Sequence, residues 1–403
     1  MRILYLHPAG SFGGASKSLI ELFKRLQAKG VHGVVLTPKG TASRAFTEAG
    51  MDVRFVRGLS QFDNTQYGHY RSTRWIILLR ELFLLPPTLF ALLKLRNETF
   101  DLIHVNEVTL LPIGVLAKQL LGIPMIVHVR SLQRKHCNGW RSRWINKLLN
   151  CYADAVVAID HTVAKTLAGN LPLFIVHNGI NLPVQVSAPA SAKRGISDPV
   201  CVGFLGVLIP LKGVYELVEA MRILKKRNVQ IECLVAGEDA RDLSGLKGWV
   251  LQKLGLAWSV RVELEKLIER YSLHNHVRLL GFVSDVRTIY PRLDILCFPS
   301  YLDAAGRPVF EAAFYGVPSV VAVIDPMPDA ILHEVTGLAI SKPDPVLIAD
   351  ALQCLTEDVG YRQQLGLQAR EWANKIFSIE SNASSMYCIY MKTLSKRSIP
   401  KLG

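Results

Sequence analysis

The stretch LDAAGRPVFEAAFYGVP, residues 302 to 318, places two carboxylates eight positions apart, with a Gly-Arg-Pro triplet between them. Pro308 suits the first turn of a helix because it lacks an amide hydrogen and has a fixed φ. The pattern predicts a helix over Val309 to Tyr315 that ends at Gly316, with Glu311 in its opening turn.

The residues before this helix are expected on a strand-to-helix loop. The run LDILCFPS, residues 293 to 300, is short and apolar, so Asp303, Gly306 and Arg307 follow a buried strand. Ligands of open α/β sheets bind at the edge where the strands end. There the free amides at the helix start and Arg307 can form an anion site, and the Glu311 carboxylate can accept hydrogen bonds from hydroxyl groups. Phosphate joined to a sugar fits this chemistry. Alternatively, Glu311 only complements the helix dipole and Asp303 is an ordinary loop acid.

Three more positions are candidates for ligand binding. GSFGGASKS, residues 10 to 18, follows the first strand but lacks the GxGxxG spacing and the Gly-Lys pair of a P-loop, leaving Gly13 and Gly14 as a turn that a ligand can approach closely. His128, in IVHVR, ends a strand and suits either a ligand contact or a satisfied core position.

A second glycine loop lies in VGFLGVLIPLKGVYELVEA, residues 202 to 220. Here Gly206 follows a strand and Lys212 stands at a helix start. A lysine at this place neutralises a phosphate, or is simply solvated.

Short apolar runs alternate with amphipathic segments along both halves of the chain, which predicts α/β folding with parallel sheets. A stretch rich in Pro, Ser and Ala at residues 181 to 199 is the predicted linker. We expect two Rossmann-like domains whose parallel sheets face a central cleft, residues 1–185 and 186–379.

The composition indicates the number of domains and the cellular location to expect. The chain has 403 residues, of which 50% are hydrophobic, enough for two domains. Its seven cysteines are scattered without CxxC spacing, which favours reduced thiols and no structural metal. The apolar run before His7 is too short for a signal peptide, so a cytoplasmic location is expected.

The net positive charge is concentrated in the first half of the chain. Residues 1–190 carry net +12 and residues 191–403 net +2, which suggests that the first half meets an anionic partner. A phospholipid surface and a lipid-linked phosphate are the main candidates. Nucleic acid is disfavoured because no basic run is interleaved with stacking aromatics. The alternative is a merely solvated basic face.

Two segments could form a membrane face. Residues 75 to 95 are strongly apolar but are interrupted by Arg80-Glu81 and Pro86-Pro87, so they do not span a bilayer; they are either a pair of core helices or an interfacial element. Residues 130 to 147 gather basic side chains around two tryptophans. The predicted membrane or acceptor face comprises Arg71, Arg74, Trp75, Trp140, Arg141, Arg143, Trp144 and Lys147.

Taken together, FGGASKSLIEL, HVR, HNGI, FLGVLIPLKG, LLGFVSD, FPSYLDAAGRPVFEAAFYGVPSVV and DAILHEVTGLAI resemble family 4 of the retaining GT-B glycosyltransferases, with its group 1 C-terminal domain. The likeness runs over almost the whole chain. It implies a nucleotide-sugar on the second domain, an acceptor on the first, and a C-terminal helix of about residues 380–403 packed back on the first.

The resemblance also implies roles. Asp303 and His128 would contact the transferred sugar and Glu311 the ribose, while the diphosphate would meet Lys212, Arg307 and the turn at Gly13 and Gly14. Retention would proceed on one face without an enzyme nucleophile. The absence of a DxD motif favours a metal-free, cofactor-free hexosyl transfer.

Three departures from the family pattern concern the donor pocket. Asp303 stands for the usual first glutamate, Val207 for a frequent arginine, and Asp325-Pro326 for a Gly-Gly pair. The expected activity is hexosyl transfer onto a lipid-linked or surface-polysaccharide acceptor, such as lipopolysaccharide, at the inner face of the membrane. A nonhydrolysing sugar-nucleotide epimerase and a catalytically weakened nucleotide-sugar-binding relative are the alternatives.

Overall fold

The computed structural model describes residues 1–66, 68, 76–134, 139–181, 198–239, 259–302 and 304–395. They divide into two compact units. The first contains the described residues up to Asn181 and from Phe377 onward, and the second those between 198 and 376. The boundary predicted at residue 185, and most of the predicted linker, fall in 182–197, outside the described residues.

The described part of the first unit contains a seven-stranded sheet in the order β3-β2-β1-β4-β5-β6-β7, with every neighbouring pair parallel. The central strands are apolar and buried, as parallel strands covered on both faces must be. The strands are β1 Arg2–Leu6, β2 His32–Pro38, β3 Asp52–Val56, β4 Leu102–Val105, β5 Met125–Val129, β6 Ala155–Ala158 and β7 Leu173–Ile175.

Helices cover both faces of this sheet. One face packs against Ile77–Leu95, Leu111–Leu121 and Trp140–Tyr152. The other packs against Gly14–Gln27 and Ile379–Ser395, and the side chain of Tyr390 is fully buried there. The shorter helices Thr41–Glu48 and His161–Ala164 complete the described part of the unit.

The second unit is built in the same way. Its described strands form a six-stranded parallel sheet in the order β10-β9-β8-β11-β12-β13, comprising β8 Val200–Leu205, β9 Ile231–Ala236, β10 Val277–Gly281, β11 Ile295–Phe298, β12 Ser319–Ala322 and β13 Gly337–Ile340. Its described helices are Val214–Lys226, Val260–Arg270, Arg307–Phe314, Pro345–Glu357 and Val359–Ile376. The predicted α/β class with parallel sheets is therefore confirmed.

The structure contradicts one of the two alternatives predicted for residues 75 to 95. The prediction of two core helices is wrong, because Ile77–Leu95 is one helix that contains both Pro86 and Pro87. Thr88 follows them directly, and its hydroxyl oxygen lies 2.8 Å from the carbonyl oxygen of Leu84 and 3.1 Å from that of Gly58, so its one proton can be donated to either. The contact with Gly58 ties the helix to a loop near the turn in which the prolines remove two backbone donors.

Candidate functional site

The second unit has a switch point between β8 and β11, because the chain leaves β8 toward β9 on one side and β11 toward β12 on the other. Open α/β sheets bind ligands in the crevice outside the carboxyl ends of such strands. The loops that begin here, after Leu205 and after Phe298, carry the residues that the sequence nominated for a nucleotide-sugar.

Lys212 lies in the first of these loops. A short 3₁₀ turn, Pro210–Lys212, is ended by Gly213 at φ +71°, and the helix Val214–Lys226 follows. Only glycine fits at that position, since a Cβ would stand 1.8 Å from the carbonyl oxygen of Pro299. The tight contact joins the two loops and fixes the lysine at a helix start.

The amine of Lys212 also meets an aromatic ring. Its Nζ lies 4.7 Å from the ring centroid of Phe298, the last residue of β11. Burial lowers the pKa of Lys212. A partly desolvated ammonium held over an aromatic face is preorganised to meet a phosphate oxygen.

Glu311 and Arg307 form an ion pair on the second loop's helix. Glu311 is buried; its Oε1 accepts a bond of 2.7 Å from Arg307 Nε, and its Oε2 accepts one of 2.7 Å from the hydroxyl of Tyr290. Tyr290 stacks on Tyr315 at 5.4 Å, and burial, followed by the charge of Glu311, raises its pKa well above the usual value. The carboxylate is thus held rigid from two sides.

The predicted helix begins two residues earlier than expected, at Arg307, and ends at Phe314, with Gly306 as its N-cap. A Cβ on Gly306 would stand 2.3 Å from Phe298 Cζ, so the glycine lets the loop lie on that ring. Asp303 lies outside the described residues. The structure thus brings Lys212, Gly306, Arg307 and Glu311 around the end of β11.

Two positions at which the sequence departs from the family pattern, Val207 and Asp325, lie within the described residues. Gly206, directly after β8, has φ +153°, and Val207 beside it is half exposed. Asp325 has φ +49°, the left-handed conformation that glycine adopts most readily. The backbone at Asp325 therefore keeps a glycine-like conformation, although a side chain now stands there.

The first unit has its own switch point, between β1 and β4. Gly13 caps the helix Gly14–Gln27, and a Cβ on either glycine would meet nothing within 4 Å. There is thus free space beside both glycines, and the close approach of a ligand to this turn stays a prediction. Its role in diphosphate binding stays a prediction.

A buried hydrogen-bond chain runs along the same edge of the first sheet. His7 Nε2 lies 3.0 Å from Ser16 Oγ, and His7 Nδ1 lies 2.9 Å from Asn106 Nδ2. Arg130 Nε donates to Asn106 Oδ1 at 3.0 Å, and its Nη2 lies 3.3 Å from His128 Nδ1.

The chain continues from His128 into the core. His128 Nδ1 is 3.3 Å from His104 Nε2, and His104 Nδ1 is 2.6 Å from the hydroxyl of Tyr390. Burial, reinforced by the charge of Arg130, lowers the pKa of His7 and of His104 to about 3 and that of His128 well below its usual value. All three imidazoles are therefore neutral near pH 7, so His128 acts as a hydrogen-bonding group rather than as a cation.

The predicted membrane face is described in part. Arg71, Arg74 and Trp75 lie outside the described residues. The helix Trp140–Tyr152 presents an exposed row with the i, i+3, i+4, i+7 spacing of one helical face, consisting of Trp140, Arg143, Trp144 and Lys147, while Arg141 is half-buried.

The helix Ile77–Leu95, on the same face of the sheet, also exposes apolar side chains. Its buried side chains are Glu81, Thr88, Leu92 and Leu95. The exposed large side chains include Leu79, Leu82, Phe83, Phe90 and Leu93. A surface helix ordinarily turns polar residues outward. Within the described residues, no helix is both long enough and apolar enough to cross a bilayer.

Sequence reasoning did not identify several residues of these clusters. In the second unit these are Tyr290, Phe298 and Tyr315, and in the first His7, Ser16, His104, Asn106 and Tyr390. A position at the carboxyl end of a strand could have indicated Phe298 and Asn106. Nothing local in the sequence marks Tyr390.

Comparisons with known proteins agree with this architecture. The family model described as Glycosyl transferase 4-like domain matches residues 13–173, and the one described as Glycosyl transferases group 1 matches residues 189–372. An uncharacterised glycosyltransferase of Methanocaldococcus jannaschii is 24% identical over 316 residues, 73% of this chain and 75% of its own.

Two further comparisons extend over nearly the whole chain. D-inositol 3-phosphate glycosyltransferase of Corynebacterium diphtheriae is 22% identical over 409 residues, 95% of this chain and 90% of its own. A crystal structure of Anabaena HepE in complex with UDP and glucose superimposes with a TM-score of 0.74 at 19% identity, covering 97% of this chain and 100% of that one. The chain therefore has the GT-B fold, and it matches the model of a glycosyl transferase 4-like domain over residues 13–173 and that of the glycosyl transferases group 1 over residues 189–372.

Proposed function

We propose that this protein transfers a hexose, with retention, from a nucleoside-diphosphate sugar to a hydroxyl of a lipid-linked or polysaccharide acceptor. The observation that carries the proposal is the cluster at the switch point of the second unit. There, Lys212 over Phe298 offers a cation, and the rigid Glu311 carboxylate offers hydrogen-bond acceptors. Cation and carboxylate match the phosphate and the ribose hydroxyls of a sugar nucleotide.

In this reaction the bond between the anomeric carbon and the diphosphate oxygen breaks, and a bond to the acceptor oxygen forms on the same face. The acceptor's proton passes to the departing diphosphate. Negative charge grows on the diphosphate, so Lys212 and the helix starts beside it stabilise the transition state more than the ground state. In our proposal these groups replace a metal. His128 and Asp303 would hold the transferred sugar.

A pocket in the first unit supports a hydroxyl-bearing acceptor. It has a volume of about 210 Å³ and is lined by groups that can hydrogen-bond to hydroxyls, including Gln61, Asp63, Thr65, Arg80, Glu81, Glu107 and Thr109. Glu107 is buried, and burial raises its pKa. One wall is the first turn of the apolar helix Ile77–Leu95.

The same pocket adjoins the tryptophan-bearing helix. Phe62, between two lining residues in the chain, packs on Trp144 at 4.8 Å and on Trp140 at 6.1 Å. A saccharide in this pocket would therefore contact the start of one predicted membrane-contacting helix and a loop that packs on the other. This neighbourhood favours an acceptor attached to a lipid.

The activity is tested with UDP-, GDP- and ADP-sugars, each with and without a lipid-linked oligosaccharide fraction. In a thermal-shift measurement, we expect one of UDP, GDP and ADP to raise the melting temperature of the protein, because a ligand that binds only the folded state stabilises it. We also expect a glycosylated product only when the acceptor is present. Conversion of the sugar nucleotide without acceptor would establish the epimerase instead, and binding without turnover a weakened relative.

The membrane proposal is tested with vesicles. Replacing both Arg143 and Lys147 by alanine should weaken partition into anionic vesicles about thirtyfold at low salt, since each lost charge is worth about 1 kcal/mol. Replacing Lys24 by alanine is the matched control for each single variant, Arg143→Ala and Lys147→Ala, because this exposed lysine lies on a helix that covers the opposite face of the sheet. Equal partition of the parent protein into neutral and anionic vesicles would refute electrostatic membrane binding.

A further inference from the structure

We propose that Phe298 is a positioning residue for Lys212, whose ring holds the ammonium beside the end of β11 without neutralising its charge. The proposal rests on the proposed function in one respect, namely that Lys212 meets the diphosphate of the donor. Its structural part, which concerns the attraction between ring and ammonium, does not depend on any substrate.

The side chain of Lys212 is fixed at both of its ends. At the backbone end, the amide of Tyr301 donates to the carbonyl of Leu211 at 3.0 Å and ties the lysine loop to the loop after β11. This contact leaves the flexible four-carbon stem of the lysine free to rotate. At the other end, Nζ lies 4.7 Å from the ring centroid of Phe298. Among the described residues Nζ makes no hydrogen bond or ion pair, so the ring is its electrostatic partner there.

The ring of Phe298 is itself held rigidly. Phe298 is the last residue of β11, a buried strand that pairs with β8 on one side and with β12 on the other. The backbone of the second loop lies against the ring, because a Cβ on Gly306 would stand 2.3 Å from Cζ and 2.8 Å from Cε2. The ring therefore offers the ammonium a surface that does not move away.

An aromatic ring differs from a carboxylate as a partner for this lysine. The ring attracts a cation through its quadrupole, but it has no net charge. The ammonium consequently keeps its own charge and its N–H donors for an oxygen on the side away from the ring. A carboxylate at the same place would neutralise the lysine before any ligand arrived. An anionic oxygen, such as that of a phosphate, is the ligand that completes this arrangement.

Burial and the ring act on the protonation of Lys212 in opposite directions. Burial lowers the pKa of Lys212, because water is removed from the ammonium. The charged groups near the starts of the two adjoining helices are engaged elsewhere: Glu216 accepts from the hydroxyl of Tyr301, and Glu311 pairs with Arg307. Attraction to the aromatic face favours the protonated form. Weakening that attraction should therefore lower the pKa of the lysine further.

The test replaces Phe298 by 3,5-difluorophenylalanine, which has nearly the same shape but a weaker quadrupole. This residue keeps a hydrogen on Cζ, the ring atom that faces Gly306. We expect an NMR titration of the Lys212 amine to give a lower pKa than in the parent. We also expect the Kd for whichever of UDP, GDP and ADP stabilises the parent to rise about threefold. Phe298→Leu removes the ring and should change both quantities in the same directions, with a rise in Kd of about tenfold.

Two comparisons separate this role from a general effect on the fold. Phe204 is a fully buried phenylalanine of β8 with no cation over its ring in the part of the chain that the structure describes. Its replacement by 3,5-difluorophenylalanine should leave the Lys212 pKa and the Kd as in the parent. In a Lys212→Ala background, the change at Phe298 should no longer alter the Kd, because the effects of two residues that act through each other are not additive.

The titration of Lys212 decides the positioning proposal without substrate. An unchanged Lys212 pKa in both Phe298 variants, or an equal change in the Phe204 variant, would overturn it. A full effect of Phe298 on the Kd in the Lys212→Ala background would also overturn it, since the ring would then act independently of the lysine. If the pKa falls as expected but no nucleotide binds and the parent transfers no sugar, the proposed function fails while the role of Phe298 stands.

Discussion

Replacing Lys212 by alanine is expected to lower turnover about 10²- to 10³-fold, the effect of losing one preorganised charge stabiliser worth about 3 to 4 kcal/mol. The structure explains why this lysine should matter so much. It stands at a helix start, over the ring of Phe298, and is partly shielded from water. Its charge is therefore held in a fixed position and is only partly screened by solvent.

The matched control for this prediction is Lys266→Ala, because Lys266 is an exposed lysine on the helix Val260–Arg270 of the same unit. Steady-state rates with saturating donor should separate the two variants. Because burial lowers the pKa of Lys212, donor affinity of the parent should also weaken as pH rises, at a lower pH than for an ordinary lysine. Turnover of Lys212→Ala within threefold of the parent would rule out a diphosphate contact.

Glu311→Gln should weaken nucleoside-diphosphate binding by about 1.5 to 3 kcal/mol, the range for a hydrogen bond to a charged group. This corresponds to a rise in Kd of about ten- to more than a hundredfold. The carboxylate accepts from Arg307 and Tyr290 at once, and an amide cannot accept with both of its heavy atoms. Titration calorimetry with UDP, GDP and ADP, below the melting temperature of the variant, measures the change.

Tyr290→Phe separates a ligand contact from a structural role. It removes the hydroxyl that donates to Glu311 Oε2 but leaves the carboxylate in place, so it should lower the free energy of unfolding by about 1 kcal/mol while largely preserving nucleotide affinity. If Glu311→Gln destabilises the fold but binds nucleotide as tightly as the parent, Glu311 serves only the ion pair and the helix dipole.

Hydrophobic runs located most of the sheet strands, because parallel strands covered on both faces are apolar along their length. β3 carries no such run, because Asp52–Val56 is an edge strand and most of its side chains are not fully buried. One of the two alternatives for residues 75 to 95, a pair of core helices, was wrong: prolines usually break a helix, whereas Ile77–Leu95 continues through both of them.

The candidate site was predictable where it is local in sequence. Lys212, Arg307 and Glu311 follow strands at recognisable loop-to-helix junctions, and Arg307 and Glu311 pair at i, i+4 spacing. Tyr290, by contrast, reaches Glu311 from a separate turn, and Tyr390 meets His104 from 286 positions away. Such partners depend on the tertiary fold, and no spacing rule in one sequence reveals them.

The first unit is discontinuous in sequence, and this affects how the protein can be made. On the ribosome, the sheet containing Tyr5 and His104 is synthesised long before the helix Ile379–Ser395, whose Tyr390 completes that core. The intervening unit is continuous and can fold during synthesis. Until then one apolar face of the first unit is covered only in part, by the helix Gly14–Gln27, so a nascent chain halted before residue 377 would be prone to aggregate and to need a chaperone.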